Sequence, residues 1–145
     1  MKIILQRVSS ASVIVESKTV ANIQTGLLAL VGLGKTDQEN NFEIAINKIL
    51  NLRIFSNNGK FDKSLVDIQG EIILVPQFTL FADTSKGRRP EFFEAMAPIQ
   101  AKDLFEKFKS QFEKIYPKKV QAGVFGADMK VSLLNDGPVT ISLEF

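Results

Sequence analysis

Two short segments carry polar groups where an apolar core would not ask for them. They are Val75-Pro76-Gln77-Phe78-Thr79-Leu80 and Asn135-Asp136-Gly137-Pro138-Val139-Thr140. Each lies at the end of an apolar run, where a strand gives way to a turn. Pro76 cannot donate to a sheet ladder, so it marks an edge, a bulge or the mouth of a site. Beyond it, the N–H groups of Gln77, Phe78 and Thr79 can point into a cleft and form an oxyanion hole without any titrating side chain. Thr79 adds a hydroxyl, as a hydrogen-bond donor or as a nucleophile. The same residues also read as a strand with an edge proline and a locally bonded threonine. In the second segment, Gly137 tolerates backbone angles closed to other residues, and Pro138 fixes φ. A plain turn between two strands explains Asp136-Gly137-Pro138 without any function.

What is missing narrows the chemistry further. The chain has no histidine and no cysteine. That excludes disulfides, thiolate catalysis, zinc–thiolate sites and the Ser-His-Asp arrangement. No set of Asp and Glu at ligand spacing stands out, so no metal and no cofactor is expected. Arg7 is a charge in an otherwise apolar strand start, either an outward ion-paired residue or a guanidinium with a job. Lys86-Gly87-Arg88-Arg89 is the densest basic cluster, and it reads as a solvated loop or as a phosphate-binding one. Lys118-Lys119 is a weaker cluster. The formal net charge of +2 is too small to demonstrate nucleic-acid binding by itself.

These residues need a frame. At 145 residues the chain is long enough for one domain, and such a domain buries roughly two thirds of its unfolded surface. Lys2 to Glu16 reads as a strand with Thr19 to Ile23 as its hairpin partner. Gly26 to Leu33 reads as a strand buried on both faces. Asp37 to Leu52 reads as a helix capped by Asp37, with Phe42, Ala45, Ile46, Ile49 and Leu50 on one stripe. Glu71 to Phe81 is a second apolar strand, and Asp83 to Pro90 a surface loop. Pro98 opens a helix that Leu104, Phe105, Phe108, Phe112 and Ile115 line and Pro117 ends. Val131 to Leu134 and Val139 to Phe145 read as two closing strands around Asp136-Gly137-Pro138. Strand blocks separated by two helices argue for a single α/β or α+β domain. No apolar run approaches the roughly 20 residues needed to span a bilayer, and a cytoplasmic protein is expected. Most of the twelve phenylalanines recur at helical spacing and read as core.

Taken in order along the chain, Gln6-Arg7-Val8, Asn51-Leu52-Arg53-Ile54-Phe55, Val75 to Leu80, Lys86-Gly87-Arg88-Arg89-Pro90 and Asn135 to Thr140 resemble the D-aminoacyl-tRNA deacylases (D-Tyr-tRNA(Tyr) deacylases). The resemblance covers nearly the whole chain. It implies a single domain over residues 1–145, of mixed β-sheets forming a barrel-like core with two main helices, and a homodimer with active sites at the subunit interface. It implies hydrolysis of the ester of D-aminoacyl-tRNA, with tRNA as the partner, and of glycine misplaced on tRNA(Ala). Gln77, Phe78 and Thr79 then bind the 3′ adenosine and scissile ester. Gly137 and Pro138, in the cis form and flanked by Asn135 and Thr140, enter the partner's site as a chiral filter of main-chain atoms. Arg7 supports that loop, and Lys86, Arg88 and Arg89 meet tRNA phosphates. One position departs from the pattern. The usual block is Ser-Gln-x-Thr-Leu, and Pro76 matches instead a related group with altered tolerance for L-amino acids. The remaining blocks follow the D-specific form.

Overall fold

The computed structural model describes residues 1–117 and 120–145, so the Lys118-Lys119 cluster lies outside the described residues. Alternation of apolar and polar residues at the N-terminus builds β1 (Lys2–Val15), which turns through Glu16 and Ser17 into β2 (Lys18–Ile23). Both turn residues hold positive φ, 48° and 63°, the backbone a two-residue hairpin with right-handed twist needs. The apolar run that follows is β3 (Gly26–Gly32), buried almost throughout. After α1 (Phe42–Asn51) come a small hairpin of β4 (Phe55–Asn57) and β5 (Lys60–Lys63), then β6 (Glu71–Pro76). Helix α2 (Pro98–Ile115), β7 (Val120–Ala122) and β8 (Lys130–Glu144) complete the chain.

The main sheet runs β2-β1-β3-β6-β7, with β8 along the other edge of β1. β3, β6 and β7 are parallel neighbours and the remaining pairs are antiparallel. The sheet curls until β7 approaches β2, and a side chain closes the seam. The Gln121 amide accepts from the Asn22 N–H at 2.6 Å and donates to the Asn22 carbonyl at 2.8 Å, as a peptide group would. The barrel is filled by Val8, Ala11, Val13, Ala21, Ile23, Leu28, Ile73 and Val75. The outer face of β3 and β6 (Leu27, Ala29, Val31, Ile72, Leu74) packs on the helices. In β1, Ile3 and Leu5 face the helices while Ala11 and Val13 face the barrel. An irregularity between Val8 and Ser10 reverses the parity.

Helix α1 buries the five residues of its expected stripe, and α2 buries Ala101, Leu104, Phe105, Phe108 and Phe112. Phe108 stands edge-on to Phe42 and to Phe112, at 5.0 and 5.9 Å. Ile115 is left half-exposed. Three expectations need correction. Asp37 does not cap α1; its carboxylate accepts from the Met1 amine at 2.5 Å and the Gly34 N–H at 2.6 Å, and a short 3₁₀ turn (Glu39–Asn41) leads into the helix. The second apolar strand ends at Pro76, and Phe78–Phe81 is a 3₁₀ turn. The short strands β4, β5 and β7 lack an apolar run long enough to read. The last correction concerns the C-terminal hairpin. Val131–Leu134 and Val139–Phe145 run in the same direction as one strand, because β1 is long enough to pair with both.

Where β3 starts beside β6 the two backbones nearly touch. A Cβ on Gly26 would lie 1.9 Å from the Glu71 carbonyl oxygen. Gly26→Ala is expected to lower stability by about 3 kcal/mol, the upper range for overpacking, because backbone cannot step aside as a side chain can. A urea midpoint equal to that of the parent would refute this.

Candidate active site

Strand parity explains the first segment. The Gln77 N–H donates to the Val31 carbonyl at 2.8 Å, which places residue 77 toward β3. The Gly123 N–H donates to the Leu74 carbonyl at 2.9 Å, which places residues 74 and 76 toward β7. Position 76 therefore owes the β7 side a donor, and proline has none. The ladder stops there, and the chain from Gly123 to Met129 diverges from β6. The gap opens a cavity on each side of Pro76-Gln77-Phe78. One, of about 390 Å³, is walled by Val31, Leu33, Phe78, Phe92, Phe105 and Phe125 among others. The other, of about 290 Å³, lies against Val75, Gly126, Ala127, Asp128 and Met129.

The three N–H groups expected to face a cleft do not all do so. That of Gln77 is consumed by the Val31 carbonyl. Those of Phe78 and Thr79 open the 3₁₀ turn, where no carbonyl within the turn is available to them. The Gln77 side-chain amide donates to the Thr79 hydroxyl oxygen, leaving the hydroxyl proton free to be given outward. Phe78 is 56% exposed and meets Phe92 edge-on at 5.0 Å. A mostly apolar cavity rimmed by these few polar groups suits a flat, largely apolar ligand.

The second segment is a bulge. Gln6 pairs with Thr140 and Val8 with Asn135, so Asp136 to Val139 are extruded opposite Arg7 alone. Asn135 clasps its base. Its side-chain oxygen accepts from the Val139 N–H and its amide donates to the Thr140 hydroxyl, both at 2.9 Å. Val139 is buried and roots the bulge in the helix-side core. Gly137 has φ +126°, and the Gly137–Pro138 peptide is cis.

Arg7 is not an outward-facing strand residue. It continues the helix-facing row of Ile3 and Leu5, and only 6% of it is exposed. Its Nε donates to the Asp136 carbonyl at 2.9 Å and its Nη1 to the Ile54 carbonyl at 2.5 Å. The Asp136 carboxylate lies 3.2 Å from Nε, and the Phe61 ring is 5.6 Å away. A Cβ on Gly137 would come within 2.7 Å of Nη2, so the guanidinium occupies the room that glycine leaves. Ile54 and Asp136 act here through carbonyls, which no side-chain pattern announces.

The two segments do not meet within one chain. Pro76 pairs with Val31, which pairs with Ile3, whereas the bulge lies opposite Arg7, which pairs with Leu27. That is roughly 13 Å along the strands and about 14 Å across β8-β1-β3-β6. Lys86, Arg88 and Arg89 are exposed and make no ion pair among the described residues. Among the described residues, no three Asp or Glu cluster as metal ligands and no helix is long and apolar enough to cross a membrane.

Fold and site define a small α/β protein whose polar apparatus is mainly peptide groups. A family model described as D-Tyr-tRNA(Tyr) deacylase matches residues 4–144. Curated D-aminoacyl-tRNA deacylases from Thermosipho melanesiensis and Francisella tularensis are 50% and 54% identical over 145 and 142 residues. These matches cover 99% and 97% of this chain and 97% of each relative. A solved structure described as c-Myc DNA Unwinding Element Binding Protein superposes with a TM-score of 0.94 at 42% identity, covering 100% of this chain and 99% of that one. A probable eukaryotic D-amino acid tRNA deacylase shares the fold, with a TM-score of 0.86 at 17% identity over 98% and 97% of the two chains. The chain belongs to the D-Tyr-tRNA(Tyr) deacylase family.

Arg7→Lys keeps the charge but cannot hold two divergent carbonyls. It is expected to lower stability by about 1–3 kcal/mol, leaving a buried acceptor unpaired. It should also cut the deacylation rate at least about tenfold through a misplaced bulge. Stopped-time deacylation at matched folded fraction checks this; an unchanged rate would show that the bulge keeps its shape without the guanidinium.

Proposed function

We propose that this chain hydrolyses the ester of D-aminoacyl-tRNA in a site shared between two subunits, discriminating handedness by the main chain of Gly137-Pro138. Family membership makes it a D-aminoacyl-tRNA deacylase, a carboxylic ester hydrolase acting on aminoacylated tRNA. The finer reading rests on one observation. The rigidly clasped bulge and the Pro76–Thr79 segment stand too far apart to serve one substrate within a chain. A homodimer that carries the bulge of one subunit to the cavity of the other brings them together.

In that arrangement the terminal adenosine enters the apolar cavity beside Phe78. The ester carbonyl meets the Phe78 and Thr79 N–H groups and the Thr79 hydroxyl. Developing negative charge on the carbonyl oxygen is stabilised by donors already in place. Water attacks, and the 3′ ribose oxygen departs. An aminoacyl ester is activated, so positioning supplies much of what is needed; the ribose 2′-OH is a suitable proton shuttle. The Gly137-Pro138 main chain faces the α-carbon. An enzyme that accepts many D-amino acids cannot read their side chains, so it excludes the L arrangement sterically. Glycine, with nothing at its α-carbon to clash, is accepted too, including on tRNA(Ala). Lys86, Arg88 and Arg89 meet the phosphates of the acceptor end. Pro76 follows the group with relaxed tolerance, yet the clasped bulge supports D-selectivity. A module that grips RNA ends without hydrolysis fits the family less well.

Incubation with D-Tyr-tRNA and L-Tyr-tRNA is expected to release only the D residue; equal release would end the chiral-filter reading. Subunit sharing is tested by mixing. Gly137→Val and Gln77→Ala/Phe78→Ala should each be inactive as homodimers. Mixed and re-equilibrated, they should recover about a quarter of parental activity, one intact site in half of the dimers. No recovery, with heterodimers confirmed by mass, would place both segments' work within one chain.

A further inference from the structure

The basic loop and the apolar cavity are built on the same two segments. Asp83 and Glu91 pair through both peptide groups, at 2.7 and 2.9 Å, and so pin the ends of the loop that carries Lys86, Arg88 and Arg89. One pinned end continues back into the Phe78–Phe81 turn, and the other continues forward into Phe92 and Phe93. The loop tip is purely cationic. The carboxylates sit at its base, where the Ser85 N–H bonds Asp83 at 2.9 Å and holds that carboxyl below its usual range. Phe92 turns inward as a cavity wall and packs on Phe78. Phe93 sits in the next turn, closed by the Ala95 N–H on the Phe92 carbonyl at 3.0 Å, and is 69% exposed.

A large exposed ring, next in sequence to the cavity wall Phe92, is unexplained by packing. It follows directly on the pinned base of a loop whose cations have no carboxylate partners among the described residues, a combination that calls for an anion that also carries flat apolar faces. Single-stranded nucleic acid has both. We infer that Phe93 is a stacking platform for the unpaired nucleotide that precedes the terminal adenosine of tRNA, with Lys86, Arg88 and Arg89 neutralising the phosphates alongside. This rests on the reading in which the terminal adenosine occupies the adjacent cavity. It assigns Phe93 to the grip on the RNA strand, away from the ester.

Two substrates separate that role from catalysis: D-Tyr-tRNA, and 3′-O-(D-tyrosyl)adenosine, which has no preceding nucleotide. Phe93→Ala is expected to raise KM for the tRNA by about tenfold at unchanged kcat, within the range for loss of one base–aromatic stack. It should leave the nucleoside ester's kcat/KM unchanged. Phe93→Tyr, which keeps the ring, should restore the parental KM. Unchanged KM for tRNA in Phe93→Ala would overturn the inference, as would an equal loss on both substrates. Failure of the parent protein to cleave either substrate would instead overturn the proposed reaction, and with it this inference.

Discussion

A cation nearly sealed from water, held by peptide carbonyls, governs the second segment. The Arg7 guanidinium bridges Asp136 in the β8 bulge and Ile54 just before the small hairpin. Burying such a group is costly unless its donors are met. Meeting them forces two remote stretches of backbone to converge on one plane. The same packing dictates glycine at 137, since any Cβ would collide with the guanidinium. A guanidinium suits this better than an ammonium would, because its donors are fixed in direction. The bulge is thus held from beneath by Arg7, across its base by Asn135, and by the buried Val139.

This rigidity bears on how a chain without imidazole or thiol can run a hydrolysis. In the proposed reaction nothing in either segment needs to change protonation. What is arranged instead is a set of N–H donors, a hydroxyl with its proton free, and a fixed peptide wall. Such groups do not have to reorganise as charge develops, which is where preorganised sites gain over water. The cost of that strategy is dependence on placement, because backbone groups cannot rotate to compensate for a shifted neighbour.

Much of the frame was legible in the residues. The α1 stripe and the Phe105-Phe108-Phe112 row follow from helical spacing alone, and β3 from an apolar run with buried neighbours on both faces. Other features were not legible, for identifiable reasons. Gly-Pro looks alike in a hairpin turn and in a bulge. Only the length of β1, able to pair on both sides of it, decides between them. Phe78, Leu80 and Phe81 have strand-like character, yet the missing donor at Pro76 ends the ladder before them. The residues around Arg7 suggested an unusual charge, but its hydrogen-bond acceptors are carbonyls, and any residue type supplies one. Phe92 and Phe93 were hidden among other phenylalanines, because spacing reports helices well and cavity walls poorly. Asp37 had a capping residue's sequence position, and was drawn away by a nearer ammonium group.

The Gln121 amide stitches β7 to β2 and occupies both peptide groups of Asn22, which interrupts that side of the sheet as a template for a foreign strand. The outer margin of β8 pairs with no strand among the described residues. A long, regular margin of that kind invites fibrous association. Asp136 and Pro138 interrupt it midway with a charge and a residue that cannot donate, and the extrusion kinks what would otherwise be a flat template. The same few atoms proposed to read an amino acid's handedness thus also break the regularity of that exposed margin.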